Sequence, residues 1–159
     1  MEKKIKRIYV DTTVILGLYD YHLPERVEQT EQFWNDVKNG SICVIISDVL
    51  RVELKDDAIE RVLQFIAELP ESQVEQINAT LESDNLADCY IAENVVGIGS
   101  RNDCRHVAIA TIHADGIVSW NMGDMVTRAD KYNSVNEAQG YRGIKIVTPN
   151  QYKEIYHGK

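Results

Sequence analysis

Long apolar runs are missing from this sequence. Nowhere do about eighteen apolar residues follow one another, the length that a membrane-spanning helix requires, so no membrane span is expected. Met1-Glu2-Lys3-Lys4 leads straight into a strand pattern, with no apolar signal-peptide region behind it. Cysteine is scarce. Cys43, Cys89 and Cys104 are odd in number and show no paired short spacing, which argues against a disulfide framework and for a reduced, cytoplasmic protein with each cysteine a small core residue. Positive charge is in deficit, 17 Lys and Arg against 25 Asp and Glu for a net charge of −8, a poor setting for a polyanion. A carboxylate cluster that binds divalent cations reverses that inference locally, because it adds negative charge to the count and presents a positive face once loaded.

What is present suits one domain over residues 1–159, long enough to bury a core of ordinary size. The chain is organised around Ile8-Tyr9-Val10-Asp11-Thr12-Thr13-Val14-Ile15-Leu16. A β-rich apolar run that breaks at Asp-Thr-Thr and resumes at helical spacing reads as a buried strand delivering a carboxylate at its C-terminal end. In open α/β sheets that edge is where ligands bind. Glu53, Asp103, Asn121 and Asp124 are placed alike, at the starts or first turns of expected helices, and a parallel sheet would gather all five at one edge.

After a strand at about Lys6–Val10 and a short helix through Tyr19, Pro24 sets the first turn of a helix over Glu25 to about Asn39, which Gly40 ends. Ile42 to Ile46 is continuously apolar and reads as a central parallel strand, followed by a helix through Leu54 that Ser47 or Asp48 caps. Asp57 to Leu69 is an amphipathic helix stopped by Pro70, Gln76 to Thr80 an edge strand, and Ser83 the cap of a helix through Val95. Gly97-Ile98-Gly99 lacks the third glycine and the preceding strand of a phosphate loop and reads as a turn. Asn102 is expected to cap a helix to about Ala114 and Gly116–Trp120 to form a strand. A polar helix over Tyr132–Gln139, a strand over Ile144–Val147 and a Thr148-Pro149 helix start complete the chain. This βα alternation implies a three-layer α/β/α fold around a mainly parallel sheet.

Each singled-out residue also has a purely structural reading. Asp103, in the first turn of its helix, would stabilise the dipole by about 0.3–1 kcal/mol. Thr12 and Thr13 would cap a helix, or one of them would orient a carboxylate. Lys3, Lys4, Lys6 and Arg7 before the first strand, and Arg51, Arg101 and Arg105 beside the acids, are either solvated surface or a basic rim for RNA contacts. His106 and His113 share a helix face, but no third nitrogen or thiolate at matching spacing supports a zinc site.

The ordered set of Asp11-Thr12-Thr13 after an apolar strand, Glu53 on the helix after the second strand, Asn102 to Ala110, and Ser119-Trp120-Asn121 resembles the PIN-domain nucleases, nearest to prokaryotic toxins of the VapC type. The resemblance covers nearly the whole chain. It implies a PIN-like fold and a metal-dependent endoribonuclease, commonly a homodimer and held inactive by a cognate antitoxin. Mg²⁺ or Mn²⁺ suits that chemistry, because a hard cation takes oxygen ligands and supplies an ionised water for phosphodiester hydrolysis. Asp11, Glu53 and Asp103 are then the catalytic and metal-binding acids. The sequence departs from the family at the fourth acidic position, where Asn121 stands and the nearby carboxylate is Asp124. Asn121 is expected at the site as a ligand or water-orienting group, with Asp124 assisting from the periphery. Two alternatives remain, a non-catalytic PIN-like module that binds RNA or protein and a haloacid-dehalogenase-like phosphohydrolase. The second wants an aspartate two residues after Asp11, where Thr13 stands.

Overall fold

The computed structural model describes residues 6–155. Five strands, β1 (Lys6–Val10), β2 (Ile42–Ser47), β3 (Val74–Ile77), β4 (Gly116–Val118) and β5 (Lys145–Val147), form one sheet in the order β3-β2-β1-β4-β5. Every pairing is parallel. The central strands are apolar at successive positions because both sheet faces are covered. Tyr9, Ile45, Ile117 and Ile146 enter one core, while Ile8, Val10, Val44, Ile46, Val118 and Val147 enter the other, following the two-residue alternation of a strand.

The helices are α1 (Thr12–Leu16), α2 (Pro24–Lys38), α3 (Val49–Glu53), α4 (Asp56–Ala67), α5 (Leu81–Ala92), α6 (Arg101–His113) and α7 (Ala129–Ala138). The first core takes residues of α5, α6 and α7, and the second takes residues of α1, α2 and α4, which makes the expected three layers. Gly40 ends the turn after α2 at φ +87°, a conformation that favours glycine. No helix among the described residues is long and apolar enough to cross a membrane.

Three local expectations are corrected, and the terminal helix, which does start at Pro149, is given its type. Thr80, rather than Ser83, is the N-cap of α5: its side chain accepts from the Ser83 backbone N–H, and Ser83 Oγ accepts in return from the Thr80 N–H at 2.9 Å. That commitment of residue 80 leaves the preceding strand at Val74–Ile77, earlier than Gln76–Thr80. Asn102 lies inside α6 rather than capping it, where it accepts a 3.4 Å hydrogen bond from Arg105. The segment after Pro149 is a 3₁₀ helix over Pro149–Ile155.

The strand order fixes where a site forms. From β1 the chain builds outward through β2 and β3, then crosses back to build β4 and β5 on the other side, so the order reverses between β1 and β4. In open α/β sheets the crevice beyond the carboxyl ends of the strands at such a reversal is the binding position. Val10 and Val118 are partners across it, and the next residues of the two strands are Asp11 and Ser119.

Candidate active site

Asp11 is delivered to the reversal point by the end of β1 and is only 2% exposed. It is also the N-cap of α1: Oδ1 accepts from the Thr13 N–H at 3.1 Å and from the Thr13 hydroxyl at 2.5 Å. Oδ2 accepts from the Ser119 hydroxyl at 2.6 Å, across the β1–β4 boundary. Thr13 Oγ1 in turn accepts from the Trp120 N–H at 2.9 Å. Every partner of the carboxylate is neutral, and burial raises the Asp11 pKa above its ordinary value, opposed by the nearby His106 and the hydroxyl donors.

Glu53, the last residue of α3, comes from the β2 side. Its Oε1 lies 2.5 Å from His106 Nε2, and the Thr12 hydroxyl approaches the same oxygen at 3.5 Å. His106 is 1% exposed, and its Nδ1 lies 2.5 Å from the Tyr9 hydroxyl, which lies 2.7 Å from Ser47 Oγ. Ser47, Tyr9, His106 and Glu53 thus form one continuous chain of side-chain contacts leading into the site. Burial pushes the Tyr9 pKa far up, so its hydroxyl remains a donor. In sequence His106 is a candidate zinc ligand without partners; in the structure it is the strut that holds Glu53. Its spacing from Asp103 carried that signal, since residues three apart share a helix face. Ser119 carries no such signal of its own in sequence, and only the β1–β4 register puts it beside Asp11.

Asp103 stands in the first turn of α6, half-buried, with its pKa pushed up to about 6. Burial is the largest cause and the Glu53 charge the next, with Asp124 adding to them; His106 and a hydrogen bond with Asn121 act the other way. Asn121 is thus among the surroundings of Asp103, and its Oδ1 accepts from the Asp124 backbone N–H at 3.1 Å. The Asp124 carboxylate accepts from the Ser100 hydroxyl at 2.9 Å and lies 4.0 Å from the Arg128 guanidinium.

The basic residues are arranged differently from the acids. Arg101 pairs with Asp88 at 3.0 Å and Arg105 with Asp84 at 3.3 Å, both carboxylates belonging to α5, whereas Arg51 is exposed on α3. Arg7 pairs with Glu75 at 2.7 Å near the amino end of β1, so Lys6 and Arg7 stand at the opposite edge of the sheet from Asp11. Lys3 and Lys4 lie outside the described residues.

The donor set suits a hard divalent cation in kind, being all oxygen, and in electrostatics, because the crowding that raises Asp103 is what a cation relieves. Spacing is a separate matter. Among the described residues no three His, Cys, Asp or Glu side chains stand close enough together to hold an ion as they are placed, and one Glu53 oxygen is engaged by His106.

The fold is similar to that in the crystal structure of VapC20 from Mycobacterium tuberculosis, described as a toxin that cleaves the sarcin-ricin loop. The match has a TM-score of 0.51 at 15% identity and covers 87% of this chain and 98% of that one. At that identity the likeness establishes the fold alone, an α/β fold with a parallel sheet flanked by helices like that of the similar structure. No protein-family model and no curated protein matches the sequence.

Proposed function

We propose that this protein is a metal-dependent endoribonuclease that hydrolyses RNA phosphodiester bonds and serves as the cytoplasmic toxin of a toxin–antitoxin pair. The observation that carries this is the meeting of Glu53, His106 and Asp103 beside Asp11, on three elements that only the sheet reversal brings together. Perturbed carboxylates in such a crevice are where catalytic groups are found. In this reading Asp11, Glu53 and Asp103 hold Mg²⁺ or Mn²⁺, with Asn121 and Asp124 at the fringe. The bound ion supplies a water that ionises near neutral pH and a positive clamp on the phosphate.

The chain's own groups do the rest. Thr13 and Ser119 fix both oxygens of Asp11, and the Tyr9–His106 strut fixes Glu53. Such supporting hydrogen bonds orient metal-binding carboxylates and set their basicity. The raised pKa of Asp103 belongs to the metal-free crevice, and a divalent cation held there would favour its ionised form. A structured RNA loop is the substrate class to try first, because the similar toxin cleaves one. A cognate antitoxin and a second copy of the chain are the expected protein partners.

The absence of an ion-ready trio among the described acids favours one rival, a PIN-like module that binds RNA or protein without cutting it. One assay separates the two. Purified protein is incubated with a loop-containing RNA and Mn²⁺ or Mg²⁺, with and without EDTA. Cleavage that EDTA stops and that Glu53→Gln and Asp103→Asn each cripple is the expected result. RNA binding without cleavage under any divalent cation would establish the rival.

A further inference from the structure

A groove of about 490 Å³ opens beside the acidic edge, lined by residues 22–26 and by Gln29 and Trp120, and its size falls within the range of small-ligand sites. Trp120 forms a fixed wall. Its indole Nε1 donates to Thr30 Oγ1 at 2.9 Å, and a Cβ on Gly17 would sit 3.1 Å from the ring, so the close fit depends on glycine there. Its backbone N–H donates to Thr13 Oγ1, which itself donates to Asp11. The groove therefore adjoins the acidic edge through one residue.

Arg26 lies over the Trp120 ring, 4.6 Å from its centroid. Among the described residues no carboxylate pairs with it, whereas Arg7, Arg101 and Arg105 are each paired with one. Arg51, Arg61 and Arg142 share that lack of a carboxylate partner, and Arg61 also lies over a ring, that of Tyr19, so what sets Arg26 apart is its place, over the ring of the residue whose backbone N–H binds Thr13 beside Asp11. Arg26 is held half-buried against an aromatic ring, in a groove that His22 and Gln29 also line with hydrogen-bonding groups and the exposed Glu25 with a carboxylate. Guanidinium and indole planes are both surfaces on which unstacked bases lie, and a guanidinium also pairs with phosphate.

We propose that this groove is a nucleotide subsite for single-stranded RNA: a base packs on the Arg26–Trp120 pair while the adjoining phosphates run toward the edge that carries Asp11. The assignment rests on the nuclease reading for its substrate and names Arg26 as one cation of this acidic protein that meets the RNA. Arg26 and Trp120 bind and position the strand rather than take part in the chemistry.

The test measures binding of a short single-stranded oligouridylate to the full chain carrying Asp11→Asn, alone and combined with Arg26→Gln, Trp120→Ala or, as a distant control, Arg7→Gln. Loss of a stacking platform weakens such binding about 5- to 150-fold. Arg26→Gln and Trp120→Ala should each fall within that range, and Arg26→Gln should also flatten the salt dependence of binding by about one phosphate contact. Arg7→Gln should bind as the parent does. In the cutting enzyme, Arg26→Gln should raise KM and leave kcat in place. Because Trp120→Ala removes packing as well, its melting temperature is read alongside, and Arg26→Gln remains decisive. Unchanged affinity and salt slope in Arg26→Gln overturn the subsite even if RNA is cut. Binding that depends on Arg26 without any cleavage sustains the subsite and removes the nuclease reading.

Discussion

Two buried polar networks lie in this molecule, and they are built on different terms. Between α5, α6 and α7, the Tyr90 hydroxyl donates to Asn136 Oδ1 at 2.5 Å, and Asn136 Nδ2 donates to Thr111 Oγ1 and to Asn133 Oδ1, each at 3.2 Å. Asn133 then closes onto both backbone groups of Ile144 at 2.8 Å. Every member is neutral. At the carboxyl edge of the sheet the members include Asp11, Glu53 and Asp103, and two of these acids have pKa values raised chiefly by burial. A neutral network, fully bonded, specifies helix packing at little electrostatic cost. A buried cluster of like charges destabilises the fold that contains it, and sites of this kind are expected where function requires them.

The sharpest way to break the comparison is to take one group from each network. Asp11→Asn should leave no detectable RNA cleavage while its melting temperature holds or rises, since the change removes a charge the fold disfavours. Asn136→Ala should do the reverse. It takes the 2.5 Å acceptor from the buried Tyr90 hydroxyl and leaves only Thr111 Oγ1 at 3.4 Å, at a cost of about 1–3 kcal/mol, a fall of roughly 2–4 °C in melting temperature per kcal/mol for a chain of this size. Cleavage per folded molecule should stay at the wild-type level. Calorimetry and a cleavage assay on both variants suffice, and a large loss of stability in Asp11→Asn would show that the acidic edge is architecture.

A smaller effect is expected from the strut between the acids. His106→Gln leaves Glu53 in place but removes its 2.5 Å partner, and losses of support for a metal-binding carboxylate run at about 10- to 100-fold in activity or metal affinity. Measuring kcat and Mn²⁺ affinity separates this from misfolding. Full activity in His106→Gln would detach the histidine from the site.

The smallest effect concerns pH. Asp103 holds its proton up to about pH 6 in the folded chain, against about 3.9 for an unfolded aspartate. Between those values the folded state binds the proton that the unfolded state has released, so this group's stabilisation is complete below about pH 4 and is lost as pH rises through 6. Denaturant midpoints of the metal-free protein across pH 4–7 should show that decline, and Asp103→Asn should flatten it. An unchanged slope in the variant would mean that the crowding around Asp103 is relieved by solvent.

Much of this architecture was legible because it is local. Continuous apolar runs fixed β1 and β2, helical spacing fixed α2 and α4, and the abrupt change at Asp11 marked the end of a buried strand. Less legible were features set by competition between neighbours, such as the α5 cap, where Thr80 and Ser83 are both good capping residues and only the reciprocal pair of hydrogen bonds selects Thr80. The candidate acids were readable one by one, as carboxylates at strand ends and in first helical turns. Their supporting groups were not. Tyr9, Ser47, His106 and Ser119 are ordinary residues in sequence and acquire their roles through contacts spanning 38 to 108 positions.

The sequence by itself determined which acids end the strands and open the helices, because backbone preference and apolar periodicity act over a few residues. Only the tertiary structure decided what those acids face. Reversal of strand order between β1 and β4 aligns Asp11 with Ser119, the packing of α3 against α6 sets Glu53 on His106, and the α5 carboxylates take up Arg101 and Arg105. Charge acts through space rather than along the chain, so which cations are neutralised and which, like Arg26, are left without a carboxylate is decided when the layers close.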